Sequence, residues 1–274
     1  SAPIYGTDNR PPQSEVEDVT EAVRQSPLQQ RRDGAFCPNP HTDNTKQEVT
    51  MKIPILHGPR DLRLEDQELD TSNLKPHEVW VETEISAFKI GTDRGNYEGA
   101  EDVPGAPTYP RPVGDSNLGI VRGVGSEVTR LKAGDRVAGQ TWHQSEYVAD
   151  ERQVAMVKVP EGVDSEDAVY TYLYTLSAHC YQKAMFRPGE NVAVVGLGTL
   201  GMGAIGVGRN FGARVIGIAN SELRMEMAAK MGTHACFMSS DPDLQGKLDE
   251  FTDGAGIDLV ILTANPWPAY QTSV

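Results

Sequence analysis

Val194-Val195-Gly196-Leu197-Gly198-Thr199-Leu200-Gly201 is the stretch on which the reading of this 274-residue chain turns. Three glycines stand in the spacing G-x-G-x-x-G, at the join between a strand pattern over Asn191–Val195 and a helix pattern over Thr199–Phe211. At such a join the first glycine permits a tight turn and the second lets the backbone approach a diphosphate. The third lets the helix pack closely on the strand. The unpaired N–H groups at the helix start, on the positive end of its dipole, would hold the phosphates. A structural glycine turn has the same spacing. The strand before, the helix after and a further strand over Arg214–Ile218 weigh for a dinucleotide site built by Gly196, Gly198, Thr199, Leu200 and Gly201.

The end of that second strand separates the two nicotinamide cofactors. An acidic residue there would bind the ribose 2′-hydroxyl of NAD. The chain reads Ile218-Ala219-Asn220-Ser221-Glu222-Leu223-Arg224 instead. Ser221 can hydrogen-bond a 2′-phosphate and Arg224 can pair with it, so NADP is expected and NAD stays open. Arg224 could equally be a solvent-facing helix residue, and Glu222 would oppose a phosphate unless it points away. Asn220, and Thr263 at the close of the Ile257–Thr263 strand, complete the expected cofactor contacts.

Outward from the loop, strands and helices alternate. After Pro160 a helix is expected from Asp164 to about Met185, then helices over Ser221–Met231 and Asp243–Phe251 and strands over Ala235–Met238 and Ile257–Thr263. Strands joined by helices of about ten residues make a parallel sheet. Upstream, Met51–Leu56, Leu62–Leu69, Glu78–Ile85, Leu118–Val124, Arg136–Gly139 and Glu146–Ala149 read as strands of a small β unit, expected to be a barrel. Residues 1–50 are rich in Pro, Gln, Asn, Asp and Arg and read as a flexible arm or the tail of an upstream domain, with a hint of helix from Val16 to Val23. An arm that packs on a partner subunit is the alternative.

Composition narrows the classes. With 25 Lys and Arg against 39 Asp and Glu, the net charge is −14. Nucleic-acid binding needs clustered basic residues, so no such partner is expected. No apolar run reaches the roughly twenty residues a membrane span needs, and the start at Ser1 shows no leader pattern. Cys37, Cys180 and Cys236 are far apart and odd in number, which suggests neither a disulfide framework nor a structural zinc. A reducing, cytoplasmic setting fits.

Together these features resemble the medium-chain dehydrogenase/reductase family, in which a GroES-like barrel precedes a Rossmann cofactor domain and the active site lies between. The landmarks are Gly91-Thr92-Asp93, Gly114 with Gly119-Ile120-Val121, Gly123-Val124-Gly125-Ser126-Glu127-Val128, Lys132-Ala133-Gly134-Asp135-Arg136-Val137, His143-Gln144-Ser145-Glu146-Tyr147-Val148 and the glycine loop. The resemblance implies an α/β chain with a polar arm at 1–50, a GroES-like catalytic domain at 51–162 and a Rossmann domain at 163–274 whose C-terminal part is missing.

The departures matter as much. Zinc-dependent members have Cys-Gly-Thr-Asp and Gly-His-Glu where this chain has Ile90-Gly91-Thr92-Asp93 and Gly114-Asp115-Ser116. The segment resembles the zinc-free branch, so no catalytic metal is expected. The resemblance makes Thr92 the proton-relay hydroxyl and sets Tyr172, Tyr174 and His179 on a helix near the cleft. His179 suits proton transfer but could be a packed helix histidine, and Asp115 is either a polar cap of the emptied pocket or a base. The tyrosines at 170, 172 and 174 cannot share one helix face. The expectation is a zinc-independent, NADP(H)-dependent oxidoreductase acting on a small carbonyl/alcohol or activated C=C substrate, as a homodimer or within a larger protein. Its rivals are a non-catalytic scaffold or cofactor sensor and a zinc enzyme with relocated ligands.

Overall fold

Along Glu78-Val79-Trp80-Val81 the pleat turns every second side chain inward, so Val79 and Val81 are fully buried while Trp80 lies on the other face. The Trp80 indole N–H there donates to Glu146 Oε2 at 2.8 Å. That alternation builds the first half of the chain. The computed structural model describes residues 48–100 and 108–273. The expected arm therefore lies outside the described residues, except for Glu48–Thr50, which open the first strand.

In chain order the strands of this half are β1 (Glu48–Gly58), β2 (Asp61–Asp70), β3 (Glu78–Ser86), β4 (Arg111–Pro112), β5 (Asn117–Val124), β6 (Arg136–Gly139), β7 (Glu146–Asp150) and β8 (Met156–Lys158). They make two antiparallel sheets, β2-β1-β4 and β7-β3-β5-β6-β8. Ser145 links the two: its N–H donates to Lys52 O at 2.9 Å and its carbonyl accepts from Thr83 N–H at 2.8 Å. Val79, Val81, Val121, Val137 and Tyr147 fill the core of the larger sheet, and each fully buried valine contributes roughly 1.5–3 kcal/mol.

Among the described residues of this half one helix, α1 (Ile90–Glu98), appears where no helix is expected from the sequence. Its buried members are Asp93 and Asn96, both polar, so no apolar period announces it. Gly99 ends it at φ 78°, a left-handed cap, and a Cβ there would lie 2.7 Å from Pro59 Cγ.

The second half alternates as expected: α2 (Ser165–Ala168), α3 (Thr171–Lys183), β9 (Asn191–Val195), α4 (Thr199–Asn210), β10 (Arg214–Ala219), α5 (Glu222–Lys230), β11 (Ala235–Met238), α6 (Leu244–Phe251), β12 (Leu259–Leu262) and α7 (Trp267–Ser273). All four strands run parallel in the order β11-β10-β9-β12. Both faces are covered, which is why β9 is buried at every residue. Val192 and Val194 pack with Tyr181 of α3 and Ala204 and Ile205 of α4. Ala193 and Val195 pack with Leu244, Leu248 and Phe251 of α6 and Ala269 of α7.

The single helix expected from Asp164 to about Met185 is two. Tyr170 N–H reaches back only three residues, to Asp167 O at 3.3 Å, and the Thr171 hydroxyl takes Ala168 O at 2.6 Å. Local side-chain bonding of this kind competes with a continuous ladder. The chain steps from β9 to β10 and β11 on one side, then returns to β12 on the other. Ligands of open parallel sheets bind beyond the carboxyl ends of the strands at such a reversal.

Candidate cofactor and catalytic site

The glycine loop sits at that reversal. Gly196 has φ 93°, which an L side chain rarely adopts, and a Cβ on it would lie 2.6 Å from Ala264 Cβ. A Cβ on Gly201 would lie 2.0 Å from Gly196 O, so the start of α4 is pressed onto the loop. Gly198 differs from both: a Cβ there meets nothing within 4 Å. Gly198 also begins α4 with no side-chain cap, so the first-turn N–H groups at Thr199, Leu200 and Gly201 lack intrahelical acceptors. Two glycines are thus closed by protein, and one faces open space.

Thr263 braces this loop. Its N–H donates to Val195 O at 2.9 Å, and its hydroxyl donates to Gly196 O. Thr263, expected among the cofactor contacts, thus has its hydroxyl bonded within the loop. Gly196 N–H donates to Ile218 O at 3.1 Å, which ties the loop to the end of β10. Beyond that end Asn220, Ser221 and Arg224 come together: Arg224 Nη1 donates to Asn220 Oδ1 at 3.0 Å, and Ser221 stands at the start of α5 with its hydroxyl capping no helical N–H. Arg224 and Glu222 are both exposed.

A second cluster forms where the two halves meet. Lys89, just before α1, places its ammonium on Asp115 Oδ2, and the Ser116 hydroxyl donates to Asp115 Oδ1 at 3.2 Å. The ring of Tyr172, from the first turn of α3, lies 6.0 Å from the Lys89 ammonium. Burial pushes the Tyr172 phenol above its ordinary pKa, and the Asp115 carboxylate adds to the shift. Nearby, His143 Nδ1 and Ser86 Oγ are 2.5 Å apart, and His143 Nε2 faces Asp93 Oδ1 at 3.8 Å. Those last two atoms are buried without a hydrogen-bond partner. Gly114, at φ 102°, lets the chain pass under His143, whose backbone N would lie 2.5 Å from a Cβ there.

Asp115 is the only residue of the expected catalytic set that this cluster holds through a side-chain contact. Thr92 is half-buried on α1, three residues beyond Lys89. Tyr174 turns elsewhere: a Cβ on Gly203 of α4 would lie 3.1 Å from its ring, so it packs against the cofactor helix. Burial raises its phenol pKa too. His179 is exposed, two turns along α3 from Tyr172, and lines a cavity of about 370 Å³ with Gln182, Phe186 and Phe211. The structure does not bring it to the cleft. Neither Lys89 nor His143 is among the expected site residues: Lys89 stands on a segment with no pattern of its own, and His143 entered only as the first residue of a family landmark.

The arrangement is a β unit ahead of a parallel sheet, with a glycine loop at the sheet's reversal and a polar side-chain cluster where the two halves meet, which is the two-domain architecture expected from the sequence. Residues 75–208 match the family model described as alcohol dehydrogenase GroES-like domain, and residues 199–274 match the one described as zinc-binding dehydrogenase. Sorbitol dehydrogenase of Bacillus subtilis is 24% identical over 82% of this chain and 71% of its own length. Quinone oxidoreductase of Pseudomonas aeruginosa is 31% identical over 54% of this chain and 47% of its own. Among solved structures, quinone oxidoreductase of Escherichia coli, complexed with NADPH, superimposes with a TM-score of 0.63 at 21% identity, covering 81% of this chain and 68% of that one. The chain belongs to the medium-chain dehydrogenase/reductase family, a family of oxidoreductases.

The zinc of the second family description finds no fitting donor set in these residues. Ile90 is 68% exposed and carries no donor atom, Asp115 is already taken by an ammonium, and the cysteines at 180 and 236 lie on α3 and β11. Among the described residues no three His, Cys, Asp or Glu side chains gather as metal ligands, where zinc takes about four.

Proposed function

We propose that the protein is a zinc-independent, NADP(H)-dependent oxidoreductase that moves a hydride between the nicotinamide and a small carbonyl/alcohol or activated C=C substrate in the cleft. The observation that carries this is the contrast within one loop: Gly196 and Gly201 are closed against protein, while Gly198 opens onto free space at the reversal of the sheet. The first-turn amides of Thr199, Leu200 and Gly201 would hold the diphosphate. Asn220, Ser221 and Arg224 would take the 2′-phosphate, and the NADPH bound to the Escherichia coli neighbour supports that choice. Bound cofactor supplies or accepts the hydride. The chain's own part is to orient the nicotinamide, exclude water and manage the proton, with Thr92 and Asp115 as the cleft groups on the expected list and Thr263 bracing the loop.

Fluorescence titration with NADPH and NADH tests the reading. Arg224→Ala is expected to weaken NADPH roughly tenfold to a hundredfold, the worth of charge-assisted hydrogen bonds, and to leave NADH unchanged. An equal loss for both, or no binding of either by the unaltered chain, refutes it.

A further inference from the structure

We propose that Lys89 is the cleft's catalytic cation, the group that meets the oxygen of a carbonyl substrate. This rests on the oxidoreductase reading above and narrows it. The substrate must carry a carbonyl oxygen, either on the carbon attacked by hydride or conjugated to it.

Three observations place Lys89 in this role. Its side chain is only 11% exposed, yet it meets a single carboxylate, Asp115, which is itself 28% exposed. Burying such a pair gains little stability over apolar packing, so the fold alone does not call for it. The pair also joins the two halves: Lys89 and Asp115 come from the β unit, and Tyr172 from the first turn of the helix whose Ser177 bonds Leu200 O at 3.2 Å beside the glycine loop. Tyr172 and Ser177 are five residues apart, about 7.5 Å along the helix. Finally, an ammonium has three N–H donors, which turn together about the Cε–Nζ bond. Asp115 takes one and the face of Tyr172 covers a second side, which leaves one for a substrate oxygen.

The step balances without a metal. Hydride delivered to the carbonyl carbon adds two electrons and forms a C–H bond, and the C=O π pair moves onto oxygen. At the β-carbon of an enone the C=C pair shifts to the Cα–C bond as the C=O pair moves onto oxygen, and the enol formed on protonation then tautomerises to the ketone in water. Lys89 donates an N–H to that oxygen as its charge grows and passes it the proton. The amine left behind regains a proton from water, with Asp115 holding the nitrogen in place. Alcohol oxidation is the reverse.

The test uses the full chain with NADPH binding by fluorescence, turnover of benzaldehyde, cyclohexanone and 2-cyclohexen-1-one, and calorimetric binding of benzoate, an unreactive anion that needs a cation but no chemistry. In Lys89→Met, NADPH affinity is expected to stay within about twofold, benzoate binding to fall at least tenfold, and kcat to fall roughly a hundredfold to a thousandfold, as when an oxyanion donor is removed. Lys89→Arg should restore benzoate binding and part of kcat, and it serves where Lys89→Met does not fold. Unchanged benzoate binding and kcat in folded Lys89→Met overturn the proposal, as does loss of benzoate binding in folded Lys89→Arg. So does stoichiometric zinc in the unaltered protein that a chelator removes together with the activity. Absence of NADPH binding in the unaltered chain instead refutes the parent reading, and benzoate binding then decides the role of Lys89 alone.

Discussion

The glycine loop and the Lys89 cluster are the two regions to which the proposals assign work, and they are built by opposite means. In the loop, function falls to backbone: side chains are absent where they would clash at Gly196 and Gly201, and where they would block the way at Gly198. In the cluster, side chains from four separate segments converge, with Lys89 on Asp115, Ser86 on His143 and Tyr172 over the lysine. The first design is tolerant of everything except added atoms. The second depends on charge and on the distances between segments.

The comparison can be broken most directly at Gly201. Its missing Cβ would lie 2.0 Å from the carbonyl of Gly196, a backbone atom with nowhere to go. Gly201→Val is expected to cost about 3 kcal/mol or more, as overpacking a closed site does. Urea unfolding checks this, and an unchanged midpoint would mean the loop is not packed as described.

Gly198→Val sharpens the contrast. With open space around the new side chain, stability should move by no more than about 0.5 kcal/mol, while NADPH affinity falls about tenfold or more. Paired unfolding and binding measurements separate the two glycines. Equal stability losses would erase the distinction between a glycine kept for packing and one kept for a ligand.

The smallest effect is expected at the other end of the parallel sheet, where a side chain holds structure and no ligand. His234 accepts from Val215 N–H at 2.9 Å and faces Arg209 at 2.5 Å. Burial and the Arg209 charge lower its pKa. The unfolded chain therefore takes up that proton first as pH falls, so stability is full above the ordinary histidine range and declines below it. The ring is partly exposed, so the slope should be slight. Thermal unfolding between pH 7.5 and 5.5 should show it, and His234→Gln should flatten it. A steeper decline in the variant would reverse the sign assigned here.

How much of this was legible beforehand follows the same division. The strands β6, β9 and β11 fall on the residues their patterns mark, because alternation and short apolar runs are local properties of the chain. α1 escaped because it buries Asp93 and Asn96 rather than an apolar stripe. β4, β8 and α7 were too short or too weakly patterned to read. The spacing of Tyr170, Tyr172 and Tyr174 shows only that the three cannot share one face; that Tyr172 lies over Lys89 while Tyr174, the tyrosine expected to be catalytic, packs toward Gly203 is a tertiary result. His179 has the chemistry for proton transfer, but it stands exposed two turns along α3 from Tyr172, a placement its sequence neighbours do not reveal.

By itself the order of residues determined the glycine loop, the parallel alternation around it and the absence of Cys and His at the positions where zinc-dependent relatives carry their ligands. Those features depend on neighbours within a few positions, where propensity and period act directly. Only the tertiary structure decided that Lys89 would sit on Asp115, 26 residues away, that His143 would face Asp93, and that Thr263 would brace Gly196 across 67 residues. Such pairings have no period and no local preference. They come from closing long loops over packed sheets, and that cost is met by the core of the whole molecule rather than by the residues brought together.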